Sequence, residues 1–458
     1  MSVTAAGEEP LIVSVSGLRG VVGGALTADV AVRYVLAFES TLPRGPLVIG
    51  RDGRESGPAL SAVIRQSLIE RGRDVIDCNV AATPTVGIVV REESAAGGIQ
   101  ISASHNPARY NGLKLFSAEG RVLTAAAGAD VLQRYMQPSE AEAAPAASPG
   151  RVRQADGIAA HVRLVSATVN VAAIRRHRPR VWLDSCHGAG SRVARPLLEH
   201  LGCELVIEGG EPDGRYDHEP EPTEANLAGM MPKLIAARAD IGFFQDPDAD
   251  RLAIATAAGR FIGEEATLSL AVEGLLATRP GPIAVNCSTS GMAAAIARRH
   301  GVDCHVSAVG EANVVDCMLA SGAVLGGEGN GGVIDPRVVL VRDSFVAMAL
   351  VLERMSAGDR LRSIESLAAG LPSLVMRKTK VELGPAVRGS ELLAAFGRIE
   401  AAFPEATASR LDGLRLDWQG GWLLVRASNT EPILRIVAEA ADAEMVDEAL
   451  SRATSALG

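Results

Sequence analysis

The chain has 458 residues, 47% of them hydrophobic and 22% charged, with a net charge of −9. Such a composition suits a packed protein of three or four domains rather than a disordered chain, and the negative balance argues against broad nonspecific binding to nucleic acid while leaving room for a local basic pocket. No apolar stretch approaches the ~18 residues of a membrane span, and the N-terminus is no signal peptide, so a cytoplasmic protein with no membrane partner is expected.

Near the N-terminus, "SVSGLRGVVGG" puts Arg19 in a glycine-bounded loop, either a surface arginine or an anion contact. "PLVIGRDGRESGPALSAVIRQSLIERGRDVIDCNV" then reads as strand, polar loop, amphipathic helix, glycine turn and strand. "RVWLDSCHGAGSRVARPLLEHLGCELVIEGG" and "GPIAVNCSTSGMAAAIARRHGVDCHVSAVG" repeat the pattern about 100 to 135 residues apart, too long for a solenoid and suited to three tandem related α/β domains. The six cysteines (Cys78, Cys186, Cys203, Cys287, Cys304 and Cys317) form no CxxC pair, and reduced thiols in apolar surroundings are expected.

In "GGIQISASHNPARYNGLKLF" an apolar run stops at the polar cluster Ser102 to Pro107, and Lys114 follows in a partly apolar segment. Serine is a poor nucleophile without a base or a strong field, and no Gly-x-Ser-x-Gly elbow frames Ser104, so these residues alone favour a polar turn. "MQPSEAEAAPAASPGRVRQADG", rich in Ala, Pro, Ser and charge, reads as a loop or domain boundary.

"GFFQDPDADRLAIA" carries the strongest chemical signal. Asp246, Asp248 and Asp250 alternate in a short loop between two apolar strands, where three carboxylates can converge on one hard cation and would otherwise repel. An EF-hand reading fails, because Arg251 stands where the turn glycine belongs and Ala257 where the bidentate Glu should be. A solvated acidic turn is the plainer alternative, and Arg251 could neutralise the carboxylates or reach a phosphate. In "VLGGEGNGGVIDP", Gly327, Gly329 and Gly332 satisfy GxGxxG, but Val-Ile-Asp-Pro cannot open the helix a dinucleotide site needs. Those glycines shape either a plain structural turn or a loop presenting Glu328 and Asn330, a pair suited to sugar hydroxyls. After Leu371 the pattern alternates like antiparallel strands and ends in an amphipathic helix, a smaller α+β domain. Its "VRASNTEPILRI" crowds Arg426, Ser428, Asn429 and Thr430 into a turn, either an ordinary one or one that supplies a guanidinium, hydroxyls and N–H groups to a phosphate.

In order along the chain, "GLRG", "SASHNP", "DPDADR", "GEGNGG" and "RASNTEP" resemble the motifs of the α-D-phosphohexomutase family, the phosphoglucomutases, phosphomannomutases and phosphoglucosamine mutases. The resemblance implies three tandem α/β domains with mixed sheets plus a smaller C-terminal α+β domain, heart-shaped around a central cleft. Residues 1–150 would carry the phosphoserine loop, 151–256 the metal loop, 257–370 the sugar loop and 371–458 the phosphate loop. It implies a phosphorylated Ser104, and one Mg²⁺ held by Ser104, Asp246, Asp248 and Asp250. Arg19, His105, Lys114 and Arg251 would surround the phosphoserine, with Lys114 shuttling the hydroxyl proton through a lowered pKa and His105 in support. Glu328 and Asn330 would bind the sugar, and Arg426, Ser428, Asn429 and Thr430 its distal phosphate.

The implied reaction interconverts 1-phospho and 6-phospho sugars through a sugar bisphosphate, which is both intermediate and activator, on a monomer or homodimer acting on hexose or amino-sugar phosphates. Many bacterial members read Glu-x-Ser-Gly-His at the sugar loop. Here Asn330 replaces the serine and Gly332 the histidine, a form closer to archaeal-type members, and a lysine and a histidine that some members use in the third domain are missing, with Asn286 and Glu311 near the matching places. Phosphoglucosamine mutase is the expected activity, phosphoglucomutase/phosphomannomutase the alternative, and a non-catalytic sugar-phosphate-binding protein the reading from another class.

Overall fold

The computed structural model describes residues 10–15, 17–137, 147–382, 390–427 and 433–457. The first sheet holds β1 (Ile12–Ser14), β2 (Gly17–Val21), β3 (Leu47–Arg51), β4 (Val75–Val80), β5 (Gly97–Ile101), β6 (Tyr110–Ser117) and β7 (Val152–Gln154), in the order β1-β2-β6-β5-β3-β4-β7. The second contains β8 (Arg180–Asp184), β9 (Glu204–Glu208), β10 (Ile241–Gln245) and β11 (Leu252–Thr256), ordered β11-β10-β8-β9. The third contains β12 (Ile283–Asn286), β13 (Cys304–Ser307), β14 (Leu325–Glu328) and β15 (Gly332–Ile334), ordered β13-β12-β14-β15. The fourth is antiparallel throughout: β16 (Val375–Glu382), β17 (Thr407–Ser409), β18 (Leu414–Trp418), β19 (Gly421–Ala427) and β20 (Ile433–Ala440), ordered β16-β20-β19-β18-β17.

One four-stranded unit recurs as β6-β5-β3-β4, β11-β10-β8-β9 and β15-β14-β12-β13. In each, three parallel strands end against one antiparallel strand. Parallel neighbours need a crossover, and the helices Gly57–Glu70, Ser191–His200 and Gly291–Arg299 supply it within the three repeated segments. Three related α/β units with mixed sheets and a different fourth domain are therefore what the chain builds. The first sheet also runs past residue 150: β7 pairs with β4, and Arg151 N donates to Asp74 Oδ1 at 2.7 Å. All three β7 residues are exposed, so no apolar alternation marks this strand in the sequence.

The helices Glu264–Leu276 and Ser344–Met355 are buried on nearly every side and pack against each other. They sit in a core shared by the first three domains, where Val48, Leu183 and Leu270 belong to one apolar cluster. The fourth domain has its own core around Leu416, Leu423, Ile436 and Val446. Among the described residues no helix is long and apolar enough to cross a membrane. The six cysteines are free thiols, three of them buried.

This topology turns three separate motifs into one. Ser102–Arg109, which contains the Ser102–Pro107 cluster, connects β5 to β6, Asp246–Arg251 connects β10 to β11, and Gly329–Gly331 connects β14 to β15. Each is the link from the third strand of its repeat to the antiparallel fourth, beyond the carboxyl end of a parallel strand, where open α/β sheets hold their ligands.

Candidate active site

Ser104 is buried in the loop after β5 and adopts the left-handed region, with φ +52°. That conformation costs a side-chain-bearing residue about 1 kcal/mol or more and needs to be held. Arg54 holds it. Its guanidinium uses all five donors: Nη2 to the carbonyls of Ser104 and Asn106 (both 2.6 Å), Nη1 to those of Pro107 (2.8 Å) and Tyr110 (2.9 Å), and Nε to Asp52 Oδ2 (3.0 Å). Ser102 Oγ completes the support, donating to Asp52 Oδ2 (2.7 Å) and accepting from Ser104 N (2.8 Å).

So held, Ser104 Oγ donates to Asp246 Oδ2 at 2.8 Å and lies 3.2 Å from His105 Nδ1. Asp246, Asp248 and Asp250 are fully buried and offer oxygens within 4.8 Å of one another. Asp248 Oδ1 and Asp250 Oδ1 have no hydrogen-bond partner. An all-oxygen, anionic, partly unpaired donor set fits a hard divalent cation such as Mg²⁺.

Cations crowd this triad. Lys114 Nζ lies 2.6 Å from both Asp248 Oδ2 and Asp250 Oδ2, and Arg342 Nη2 lies 2.6 Å from Asp250 Oδ2. Thr83 Oγ1 donates to Asp248 Oδ2, and Arg251 N donates to Asp246 Oδ1 at 3.1 Å. Burial, then the charges of Asp250 and Asp248, push the Asp246 carboxyl well above its usual range. Burial pushes Asp250 up too, but Arg342 and Lys114 hold it well below. Burial lowers the Lys114 pKa, yet Asp248 and Asp250 outweigh it and the net direction is upward, opposite to the lowered value expected of a proton shuttle. Burial, then Arg251 and Arg19, press His105 down to about 2, so its ring is uncharged at neutral pH. Arg19 Nη1 donates to Asn106 Oδ1 at 3.1 Å, which places it on the serine loop.

The sugar-loop residues reach the same centre. Glu328 Oε2 pairs with Arg342 Nη1 (2.6 Å), while Oε1 accepts from Asn286 Nδ2 (2.7 Å) and Gly310 N (3.1 Å). Arg342 therefore bridges Asp250 of the acidic loop and Glu328 of the sugar loop, with Glu311 3.4 Å from its Nε. Asn330 Oδ1 accepts from Gly332 N (3.2 Å), which leaves its amide nitrogen to donate. Gly331 has φ +81°, and a Cβ there would lie 2.2 Å from the carbonyl of Leu252, so only glycine brings the sugar loop against the end of the acidic loop. The GxGxxG spacing opens no helix; Gly332 begins β15.

Arg426 is the penultimate residue of β19, and its Nη2 lies 3.0 Å from Asp412 Oδ2. Ser428, Asn429 and Thr430 lie outside the described residues. Arg19, Ser104, His105, Lys114, Asp246, Asp248, Asp250, Arg251 and Glu328 thus belong to one network, and Asn330 lies in the adjoining loop. Arg54, Thr83 and Arg342 are the members that sequence reasoning passed over. Each makes at least one contact 50 to 165 positions away along the chain, Arg54 to Ser104, Thr83 to Asp248 and Arg342 to Asp250, beyond any local motif.

Four family models match the chain in succession. They are phosphoglucomutase/phosphomannomutase alpha/beta/alpha domain I over residues 11–142, domain II over 159–259, domain III over 264–374, and the C-terminal domain over 386–453. A Thermococcus kodakarensis protein named phosphoglucomutase/phosphomannomutase is 35% identical, the match covering 95% of each chain. A Methanopyrus kandleri protein named "Probable phosphoglucosamine mutase" is 31% identical over 94% of each. The crystal structure of a phosphoglucomutase/phosphomannomutase family protein from Burkholderia thailandensis superposes with a TM-score of 0.83 at 27% identity, covering 97% of this chain and 98% of that one. Matched across all four domains, this chain belongs to the phosphoglucomutase/phosphomannomutase family, the α-D-phosphohexomutases.

Proposed function

We propose that this phosphohexomutase works by passing a phosphoryl group through Ser104, with glucosamine phosphates as its preferred substrates. The observation that carries the reading is the 2.8 Å contact between Ser104 Oγ and Asp246, one of three buried carboxylates able to share a cation. Asp246, Asp248, Asp250 and an oxygen on Ser104 would hold Mg²⁺, which when bound supplies positive charge against the transferring phosphoryl group.

In the forward half-reaction the bond from Ser104 Oγ to phosphorus breaks, a bond from a sugar hydroxyl oxygen to phosphorus forms, and the hydroxyl gives up its proton. The bisphosphorylated sugar then turns over, and the same step in reverse returns its other phosphoryl group to Ser104. Arg19 and Arg251 balance the charge of the phosphoryl on the serine loop. The uncharged His105 hydrogen-bonds at Ser104 Oγ without adding charge. Lys114, protonated between two carboxylates, is the proton holder: in this reading it gives a proton to Ser104 Oγ and recovers one from the sugar hydroxyl. Glu328 and Asn330 grip ring hydroxyls common to both orientations, while Arg426, with Ser428, Asn429 and Thr430, takes the phosphate that is not reacting.

The archaeal-type sugar loop, with Asn330 and Gly332, supports the amino sugar, as does the name of the M. kandleri relative. The T. kodakarensis relative favours the second reading, glucose and mannose phosphates. Initial rates on glucosamine, glucose and mannose phosphates, each with its bisphosphate activator, separate the two. Ser104→Ala is expected to abolish turnover of every sugar and to remove one phosphate from the intact mass of the wild-type chain. Near-normal turnover in that variant overturns the mechanism.

A further inference from the structure

Three domains meet at a hydrogen-bonded chain that lies outside the site just described. Thr85 Oγ1, in the helix Thr83–Glu92, lies 2.9 Å from Nδ1 of His161, in the helix Ile158–Ser166. His161 Nε2 lies 2.8 Å from Asp343 Oδ2. Asp343 caps the helix Ser344–Met355, its Oδ1 accepting from Phe345 N (2.8 Å) and Val346 N (3.2 Å). All three side chains are buried, at 1%, 0% and 0% exposure. The series hydroxyl, imidazole, carboxylate has the order of a hydrolytic triad, but burial of all three side chains favours a structural role over a nucleophilic one.

Both ends of this chain stop beside residues that grip the acidic loop. Two residues before Thr85, Thr83 binds Asp248 twice: its Oγ1 donates to the carboxylate, and its N donates to the Asp248 carbonyl at 2.9 Å. On either side of Asp343, Arg342 pairs with Asp250, and Ser344 Oγ donates to the carbonyl of Ala249 at 2.7 Å. Ala249 is itself left-handed, with φ +58°, and needs holding. The contacts therefore close a ring around residues 248–250, running through Thr83, Thr85, His161, Asp343 and the two neighbours of Asp343. A carboxylate can only accept, so Nε2 of His161 donates to Asp343 and sets the orientation of the ring.

We infer that His161, with Thr85 and Asp343, is a positioning device that fixes the acidic loop in its cation-holding shape by locking the first three domains at one buried point. The inference rests on the proposed metal site for its functional meaning, but the ring of contacts stands without it. His161 touches neither substrate nor reacting atoms and acts through Asp343 and its neighbours. It also packs edge-on against Phe345, with ring centroids 4.9 Å apart, so replacing it by Phe preserves bulk while removing the partner of Thr85 Oγ1 and Asp343 Oδ2.

The test uses the full-length chain as Thr85→Val, Thr85→Ser and His161→Phe variants. The readouts are hydrogen exchange of the segment 246–252, with the helix Ala443–Ser455 as an internal control, and Mg²⁺ binding by calorimetry. Thr85→Val, nearly isosteric and the mildest change, is expected to speed exchange of the acidic loop about tenfold while the control helix is unchanged, because a local opening is made easier. Its Mg²⁺ affinity should fall about tenfold, the scale seen when partners of metal ligands are removed. Thr85→Ser, which keeps the hydroxyl, should restore both, and His161→Phe should exceed Thr85→Val. Exchange of the acidic loop at the wild-type rate in folded Thr85→Val overturns the positioning role, as does equal acceleration in the control helix. Wild-type chain that binds no Mg²⁺ overturns the metal reading instead, and the exchange comparison still decides the role of His161.

Discussion

Arg54 concentrates in one side chain what makes Ser104 usable. Four carbonyls of the serine loop and the Asp52 carboxylate converge on a guanidinium that is 1% exposed, so the loop conformation depends on a planar five-donor fork. Lysine carries the same charge but three donors on a single atom, and cannot span five acceptors. Arg54→Lys is expected to lower turnover at least about tenfold and stability by roughly 2–4 kcal/mol, since buried acceptors lose their partners. Turnover and urea unfolding measured side by side check both effects, and a variant that keeps wild-type turnover removes Arg54 from the positioning of Ser104. The residue scale also explains what was legible. The three aspartates announce themselves because their motif is contiguous, and "SASHNP", which alone favours a polar turn, becomes legible through the ordered set of motifs, whereas Arg54 sits in "GRDGRESG", which reads only as a polar loop. Its meaning comes from acceptors that folding brings in from 50 or more positions away.

Between residues and domains, the repeated unit carries the logic. At the end of its first strand each repeat places an Asx side chain that accepts from the backbone two residues on: Asp52, just past β3, from Arg54 N (2.9 Å), Asp184, closing β8, from Cys186 N (2.8 Å), and Asn286, closing β12, from Ser288 N (2.9 Å). Two of these brace a functional loop, Asp52 through Ser102 and Asn286 through Glu328. Laying the three repeats of the sequence over one another would have exposed this shared position, the one local signal for these supports. The helix Glu264–Leu276 adds a less legible feature. Glu265 lies in its first turn, with Oε2 accepting from Ser290 N (2.9 Å) and Oε1 buried without a partner. Burial, only partly offset by the Ser290 N–H and Lys378, raises its pKa to about 8. A carboxyl raised in the folded state binds its proton there after the unfolded chain has lost it, so stability falls as pH rises from the ordinary Glu value toward 8. Glu265→Gln keeps an acceptor for Ser290 but cannot ionise. It is expected to match wild type near pH 5 and to gain about 2 kcal/mol or more over it near pH 8. Urea unfolding at the two pH values tests this, and a constant difference between them would contradict it.

Across the whole molecule, the first three domains share an apolar core while the fourth keeps its own, so polar contacts carry much of its attachment. Three of them land on two loops and a helix N-terminus of the third domain. Arg415 Nη1 donates to the carbonyl of Cys287, Glu439 Oε1 accepts from Gly291 N (2.7 Å), and Asp412 Oδ2 accepts from Val309 N (2.9 Å). A small cluster of Cys287, Trp422 and Leu424 lies at the same seam. The change from α/β repeats to an antiparallel domain was readable as a change from helical to alternating periodicity after Leu371. The seam was not, since it joins single polar residues more than 100 positions apart. Asp412 ties this attachment to the proposed chemistry, because the carboxylate that accepts from Val309 N also holds Arg426, the one proposed phosphate-binding residue among the described residues. Removing it should therefore do more to binding than to folding. Asp412 is only partly buried, and losing its hydrogen bond costs about 1 kcal/mol of stability. In the proposed reaction, though, a less firmly held fourth domain admits water to the phosphoryl group. Asp412→Ala is expected to raise KM for the sugar phosphate about tenfold, by analogy with loss of a charge-assisted contact. It should also raise the ratio of phosphate released to sugar isomerised. Measuring both products in one reaction separates this from simple destabilisation, which lowers both together. An unchanged ratio with an unchanged KM would leave the Asp412 seam a purely structural joint.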